Sequence, residues 1–193
     1  AVATVQKNRS QQRRRRSKKG LPIISIIGYT NAGKSTLLNQ LTQSRVLAED
    51  KLFATLDPSS RRLRFPRDIE VIVTDTVGFI RDLPKELMAA FKATLEELEN
   101  ANLLLHVIDI SNPRHSNQIR SVETILAELD LHRIPVIRVL NKIDRIGRQQ
   151  CLDLTQRLGG IAVSALDRST LKPLTETMQA TVEGFGRTET ISE

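Results

Sequence analysis

The sequence predicts an α/β fold: a mostly parallel six-stranded sheet with one antiparallel edge strand and helices on both faces. Short runs of consecutive apolar residues alternate with segments whose apolar residues recur at helical spacing. This alternation is typical of a parallel sheet that is covered on both faces. Two of the runs are separated only by Pro66-Arg67-Asp68, which is too short for a parallel crossover. Those two strands therefore form a hairpin, and the hairpin supplies the antiparallel edge.

The elements follow in a regular order along the chain. The predicted strands are 22–27, 62–65, 69–74, 103–109, 135–140 and 160–163. The predicted helices are 34–42, 84–99, the segment from Ile119 to Leu129, 148–157 and 170–182. The connection 45–60 has no clear period and contains Pro58, and long connections of this kind are usually functional or disordered.

Length and charge indicate one domain with a basic end. A chain of 193 residues is long enough to bury one sizeable core. Residues 1–20 carry eight basic side chains and no acidic one, so the rest of the chain is close to neutral. We therefore expect a basic linker or helix end at 1–20, a globular domain at 21–185 and a C-terminal tail at 186–193. The run Arg13 to Arg16 fits either RNA phosphates or a solvated segment.

Cysteine content and hydropathy bear on the compartment. Cys151 is the single cysteine, so no internal disulfide can form, which fits a reducing cytoplasm. No apolar run approaches the roughly 18 residues that a membrane span needs. We expect a monomeric cytoplasmic protein without a membrane span.

A phosphate-binding loop follows the first strand. The stretch 28–36 reads Gly-Tyr-Thr-Asn-Ala-Gly-Lys-Ser-Thr. Its glycines let the backbone curl so that N–H groups point inward, and the next helix adds its positive end. Lys34 would reach the β- and γ-phosphates, and the Ser35 hydroxyl would bind Mg²⁺. The predicted nucleotide contacts in this loop are Gly28, Tyr29, Thr30, Asn31, Ala32, Gly33, Lys34, Ser35 and Thr36.

A second phosphate element lies at the end of strand 69–74. In Asp75-Thr76-Val77-Gly78, Asp75 would hold Mg²⁺ through water, and the Gly78 N–H would approach the γ-phosphate. Thr55 is the predicted residue of the long connection that closes over Mg²⁺ and the γ-phosphate in the triphosphate state. Ser59 and Ser60 are the alternatives for that role.

Two further motifs select the base. Asn141-Lys142-Ile143-Asp144 follows a strand, and Asp144 can accept hydrogen bonds from the ring N–H and the amino group of guanine. Adenine has neither donor there. Asn141 would join the base loop to the phosphate loop, while the stem of Lys142 would cover the ring. The stretch Ser164-Ala165-Leu166 can present a backbone N–H to the guanine carbonyl. The set of motifs indicates a Ras-like P-loop GTPase fold of the translation-factor type.

The sequences of these motifs resemble those of the HflX family, and the resemblance extends over roughly residues 9–183. The resemblance is carried by the loop 28–36, by Leu-Ala-Glu-Asp-Lys-Leu-Phe-Ala-Thr-Leu-Asp-Pro at 47–58 and by Asp-Thr-Val-Gly-Phe-Ile-Arg-Asp-Leu-Pro at 75–84. It implies a GTPase that binds the large ribosomal subunit and its rRNA and splits stalled ribosomes. Such proteins also have an N-terminal domain, a helical linker and often a C-terminal extension, which do not fit into 193 residues. The alternative is a GTP-dependent binding module with incidental turnover and a partner other than the ribosome.

One position departs from the Ras pattern. Phe79 stands where Ras-type enzymes carry the glutamine that orients water, so intrinsic hydrolysis should be slow. Asn31 matches the position that ligates K⁺ in related potassium-stimulated GTPases. The resemblance therefore implies K⁺ as a candidate cofactor, beside Mg²⁺ and GTP or GDP. The alternative is that Asn31 hydrogen-bonds the loop itself. The candidate catalytic residues are thus Asn31, Lys34, Thr55 and Gly78, and the candidate metal ligands are Ser35, Thr55 and Asp75.

Overall fold

The computed structural model describes residues 20–43, 60–76, 78, 89, 91, 93 and 95–188. Its strands are β1 (Ile23–Gly28), β2 (Ser60–Arg64), β3 (Glu70–Asp75), β4 (Leu103–Asp109), β5 (Val136–Asn141) and β6 (Ile161–Ala162). Its α-helices are α1 (Lys34–Gln43), α2 (His115–Glu128), α3 (Arg148–Leu158) and α4 (Lys172–Thr188). Three short 3₁₀ helices are Glu96–Asn100, Ile143–Arg145 and Arg168–Leu171.

The six strands form a single sheet in the order β2-β3-β1-β4-β5-β6. Every neighbouring pair is parallel except β2 and β3, which pair antiparallel with Arg64 opposite Glu70. The predicted architecture, including the antiparallel edge strand, is confirmed. Because β1 lies between β3 and β4, their carboxyl ends meet at one edge of the sheet beside the loop that follows β1.

Helices cover both faces because the strand side chains alternate between two cores. Ile24 and Ile26 of β1 belong to a cluster with residues of α1 and α4. The next residue, Ile27, belongs to a second cluster with Val122 and Leu126 of α2. A third cluster joins Leu154 of α3 to β4, β5 and α2. The central strands are thus apolar on consecutive positions because both of their faces are buried.

Some boundaries differ from the predicted ones. β6 has only two residues, since the preceding Gly159 and Gly160 adopt φ values of 63° and 135° that a regular strand does not use. The last helix runs to Thr188, beyond the predicted domain end at 185. The predicted helix 84–99 ends as the 3₁₀ helix Glu96–Asn100, and most of its remainder lies outside the described residues. The basic segment 1–19, Thr55, Ser59 and Phe79 also lie outside them.

Within the described part of the chain, none of the helices combines the length and the apolar character needed to cross a bilayer.

A buried histidine on the central strand predicts a pH-dependent stability. His106 of β4 is 2% exposed and lies opposite Arg138 of β5. Burial, and then the nearby Arg138 charge, lower the pKa of His106 from 6.5 to about 4. The unfolded chain therefore takes up a proton below pH 6.5 that the folded chain refuses, so stability is lost as the pH falls from 6.5 towards 4. Between pH 6.5 and 4.5 we expect this residue to cost about 2–3 kcal/mol of unfolding free energy.

Urea titrations at the two pH values measure this loss. In a His106→Leu variant, the difference in unfolding free energy between pH 6.5 and pH 4.5 should be smaller than in wild type by about 2–3 kcal/mol. In His132→Leu the difference should be the same as in wild type, because the imidazole of His132 is exposed. An equal pH dependence of wild type and His106→Leu would contradict the assignment.

Candidate functional site

The predicted site residues that the structure describes gather at the edge of the sheet where β1, β3, β4 and β5 end. The loop that follows β1, Asp75 at the end of β3, Asp109 at the end of β4 and the segment 141–144, which begins with the last residue of β5, all lie there. Loops at the carboxyl ends of parallel strands are where sheets of this type bind ligands.

The loop between β1 and α1 is closely packed on its neighbours. Gly28 and Gly33 adopt φ values of 150° and 100°. A Cβ at Gly28 would lie 2.3 Å from the Val107 carbonyl oxygen, and one at Gly33 would lie 2.3 Å from Nδ2 of Asn141. Both positions therefore require glycine. Non-glycine Asn31 is also left-handed in this loop, with φ 62°.

Lys34 begins α1 with its ammonium turned back into the loop. The residue is 7% exposed, and Nζ donates a hydrogen bond to the Tyr29 carbonyl at 2.9 Å. Burial lowers the pKa of Lys34, and the charge of Asp75 opposes that shift. Within the described part of the chain the buried ammonium has one carbonyl acceptor, so a phosphate oxygen would supply it with a further, negatively charged acceptor.

Ser35 and Asp75 form the candidate metal pair. The Ser35 hydroxyl donates to Oδ2 of Asp75 at 2.7 Å, while Oδ1 of Asp75 is buried and has no hydrogen-bond partner within the described chain. A buried carboxylate oxygen without a donor is costly. A hydrated Mg²⁺ would satisfy it, so the residues present fit the predicted ion. The described residues contain no group of three His, Cys, Asp or Glu side chains for a metal, so other ligands would come from phosphate and water.

Gly78 passes directly beside the phosphate loop. A Cβ at this position would lie 3.0 Å from Nζ of Lys34 and 3.0 Å from Thr30. The segment after β3 therefore approaches the loop as closely as a glycine allows. The contact of its N–H with a γ-phosphate stays a prediction.

Asn141 links three loops through one buried amide. It is 1% exposed, its Nδ2 donates to the Ala32 carbonyl at 2.8 Å, and its Oδ1 accepts from the Ala165 N–H at 2.9 Å. The phosphate loop, the base motif and the stretch 164–166 are thus held together by one side chain.

Asp144 faces the same stretch. The Ser164 hydroxyl donates to Oδ1 of Asp144 at 2.6 Å. The Ser164 N–H donates to Oγ1 of Thr170, and the Ala165 N–H donates to Oδ1 of Asn141. The Leu166 N–H, in contrast, donates to no acceptor within the described residues. The N–H of Leu166 is therefore an available donor for a guanine carbonyl, and Leu166 as a residue is 71% exposed.

Two residues of the site were not predicted. Thr170 fixes the stretch 164–166 by accepting from the Ser164 N–H. Asp109 binds the Lys142 ammonium at 2.7 Å, and that ammonium also donates to the Asn31 carbonyl at 2.6 Å. The signal for Asp109 was available, because it ends a predicted strand at the same edge of the sheet. Thr170 carries no such signal, since its role depends on how the chain turns before α4.

Known proteins match this chain over most of its length. The protein family described as "50S ribosome-binding GTPase" matches residues 23–142. The GTPase HflX of Caldanaerobacter subterraneus subsp. tengcongensis is 56% identical over 140 residues, 72% of this chain and 33% of its own length. That of Escherichia coli is 54% identical over 142 residues, 74% of this chain and 33% of its own length. The chain thus spans about a third of the length of these curated relatives.

Solved structures agree on the fold. A GTP-binding protein from Sulfolobus solfataricus in complex with GDP superposes with a TM-score of 0.70 at 28% identity, over 95% of this chain and 61% of that one. The complex of SsGBP with GDP gives a TM-score of 0.69 at 30% identity, over 84% of this chain and 50% of that one. Both the predicted Ras-like fold and the predicted resemblance are confirmed. With the family match covering well over half of its residues, the chain belongs to the 50S ribosome-binding GTPases, and its curated relatives there are GTPase HflX proteins.

Proposed function

We propose that this chain binds GTP and GDP with Mg²⁺, hydrolyses GTP slowly on its own, and acts at the large ribosomal subunit. The observation that carries the proposal is the position of Asn141, which joins the phosphate loop to the stretch beside Asp144. A nucleotide must contact both loops at once, so their fixed spacing selects a ligand with a phosphate chain at one end and a base at the other.

Guanine suits the base end. Ser164 donates to one oxygen of the Asp144 carboxylate, which orients the group and leaves the second oxygen for ligand donors. Guanine offers two donors on that edge, whereas adenine would leave the carboxylate desolvated and unpaired. The GDP complexes of structural neighbours support the same base.

At the phosphate end, each candidate group has a distinct role. The Lys34 ammonium and the loop N–H groups would hold the β- and γ-phosphates, while Ser35 and the orphaned oxygen of Asp75 would hold Mg²⁺ and its water. The ion would withdraw charge from the phosphates. Gly78 lies close enough to the loop for its N–H to donate a hydrogen bond to a γ-phosphate. Thr55 would close over the same groups from the connection 45–60.

The ribosomal partner is supported by the family, whose description names 50S binding, and by the basic segment 1–20. Polycations bind rRNA phosphates by releasing counterions, so this contact should weaken with salt.

Single-turnover GTP hydrolysis by this chain, with and without purified large subunits, tests the proposal. We expect a slow basal rate and a clear stimulation by the subunits. GTP-dependent binding to the subunits without stimulation would favour a switch module instead. Equal affinities for GTP and ATP in a parallel titration would reject the guanine assignment.

The same assay in KCl and in NaCl tests Asn31 as a K⁺ ligand. The backbone carbonyl of Asn31 already accepts a hydrogen bond from Lys142, but the Asn31 side chain is exposed and makes no hydrogen bond within the described part of the chain. This favours the role of ligand over that of an internal loop bond. We expect faster hydrolysis in KCl, and loss of that difference in Asn31→Ala. Equal rates in the two salts would remove K⁺ from the proposal.

A further inference from the structure

We propose that Asp109 is a positioning residue of the nucleotide site, which holds the Lys142 ammonium against the phosphate loop and so keeps the base loop and the phosphate loop in one rigid arrangement. The inference rests on the proposed nucleotide binding and adds a residue to it. Asp109 itself would not touch the nucleotide. It would act through Lys142.

The Lys142 ammonium bridges two segments that are remote in the sequence. Nζ lies 2.7 Å from Oδ2 of Asp109 and 2.6 Å from the Asn31 carbonyl oxygen. The two side chains of the ion pair are only 18% and 14% exposed. A charge-assisted pair that is largely shielded from water is stronger than one on the surface. The bridge is therefore a substantial contact between β4, the base motif and the phosphate loop.

The carboxylate of Asp109 is itself fixed. Its second oxygen accepts from both the N–H and the hydroxyl of Ser111, at 3.0 and 2.5 Å. Its Cα is paired with Asn141 across β4 and β5, so the acid lies directly beside the base motif. Burial acts to raise the pKa of Asp109, but the hydrogen bonds from Lys142 and Ser111 and the Lys142 charge outweigh it and lower the pKa. The acid therefore stays ionised at neutral pH.

The backbone of Lys142 explains why an anchor matters. Lys142 has φ 68°, in the left-handed region that residues with a Cβ seldom adopt. Such a conformation persists where surrounding contacts hold it. Without Asp109 the ammonium would keep only the Asn31 carbonyl and water, so the lysine stem and the Asn31 backbone would both gain freedom. A bound nucleotide that touches both loops would then dissociate faster.

A double-mutant cycle on release of fluorescent GDP tests the proposal. Asp109→Asn keeps the shape of the side chain and removes its charge. We expect this variant to release GDP about tenfold faster than wild type, the effect of losing one charge-assisted hydrogen bond. Lys142→Met should have a similar or larger effect, and Asp109→Asn should add nothing in the Lys142→Met background. Asp153→Asn is the matched control, because Asp153 is exposed on α3, remote in sequence from the site loops, and accepts a hydrogen bond from Gln149 of the same helix.

The outcomes separate the two proposals. Failure of the wild-type chain to bind GDP would reject the proposed function itself. If the wild-type chain binds GDP and Asp109→Asn releases it at the wild-type rate, the positioning role is overturned. It is also overturned if Asp109→Asn accelerates release just as much in the Lys142→Met background, because an effect that does not require Lys142 cannot act through it. If Asp109→Asn does not fold, Ser111→Ala replaces it. That variant loses one bond to the carboxylate and should release GDP a few-fold faster, and an unchanged rate would again overturn the role.

Discussion

Replacing Asp144 by asparagine should lower the affinity for GTP and GDP by roughly a hundredfold or more, as expected when a charged hydrogen-bonding partner is lost in a specific site. It should also create binding of xanthosine nucleotides. The reason lies in the orientation of the side chain. Because the Ser164 hydroxyl donates to Oδ1, an asparagine would keep its carbonyl oxygen there and turn its NH₂ group towards the base. An NH₂ group repels the guanine donors and matches the extra carbonyl of xanthine.

Competition titrations with GDP, XDP and ADP measure this change of preference. Asp130→Asn is a suitable control, since Asp130 is largely exposed and its φ of 57° is one that asparagine tolerates. It should bind all three nucleotides as wild type does. Unchanged GDP affinity in Asp144→Asn would show that the base is read elsewhere.

The phosphate loop and the base motif could be predicted from sequence because each is local. In the loop 28–36, the two glycines, the lysine and the serine hydroxyl lie within nine consecutive residues. The apolar strand directly before them is the structural context that a phosphate-binding loop requires. The sheet was predictable for a related reason. Strands buried on both faces leave consecutive apolar residues, and β1 and β4 show this pattern.

What the sequence did not reveal depends on contacts between remote segments. Asp109 and Lys142 are 33 positions apart and meet because β4 and β5 pair in register. The orphaned oxygen of Asp75 depends on how close α1 comes to β3. The length of β6 was overestimated because Val163 is apolar and buried like a strand residue, although it lies beyond the two residues of the ladder. Burial produces an apolar residue whether or not the backbone is in the sheet.

Replacing Gly33 by alanine should disable both ends of the site at once. The added Cβ would lie 2.3 Å from Nδ2 of Asn141, well inside the 3.4 Å at which ordinary contact begins, and φ is 100°. Asn141 cannot yield without cost, because its amide is buried and bonded to Ala32 and Ala165. Strain in the backbone adds about 1–3 kcal/mol, and each buried bond that is broken adds about 1–3 kcal/mol. We expect a lower unfolding free energy and GDP affinity reduced by about a hundredfold or more.

Isothermal titration with GDP and urea unfolding measure the two effects separately. Gly184→Ala provides the contrast, since a Cβ on that glycine of α4 would meet no neighbouring group outside its own helix backbone within 4 Å among the described residues. Alanine is favoured over glycine inside a helix by up to about 1 kcal/mol, so this variant should be slightly more stable and bind GDP normally. The two variants should thus change the unfolding free energy in opposite directions, although each replaces one hydrogen by a methyl group. Wild-type GDP affinity in Gly33→Ala would mean that Asn141 can move without disturbing the nucleotide, and its linking role would then be wrong.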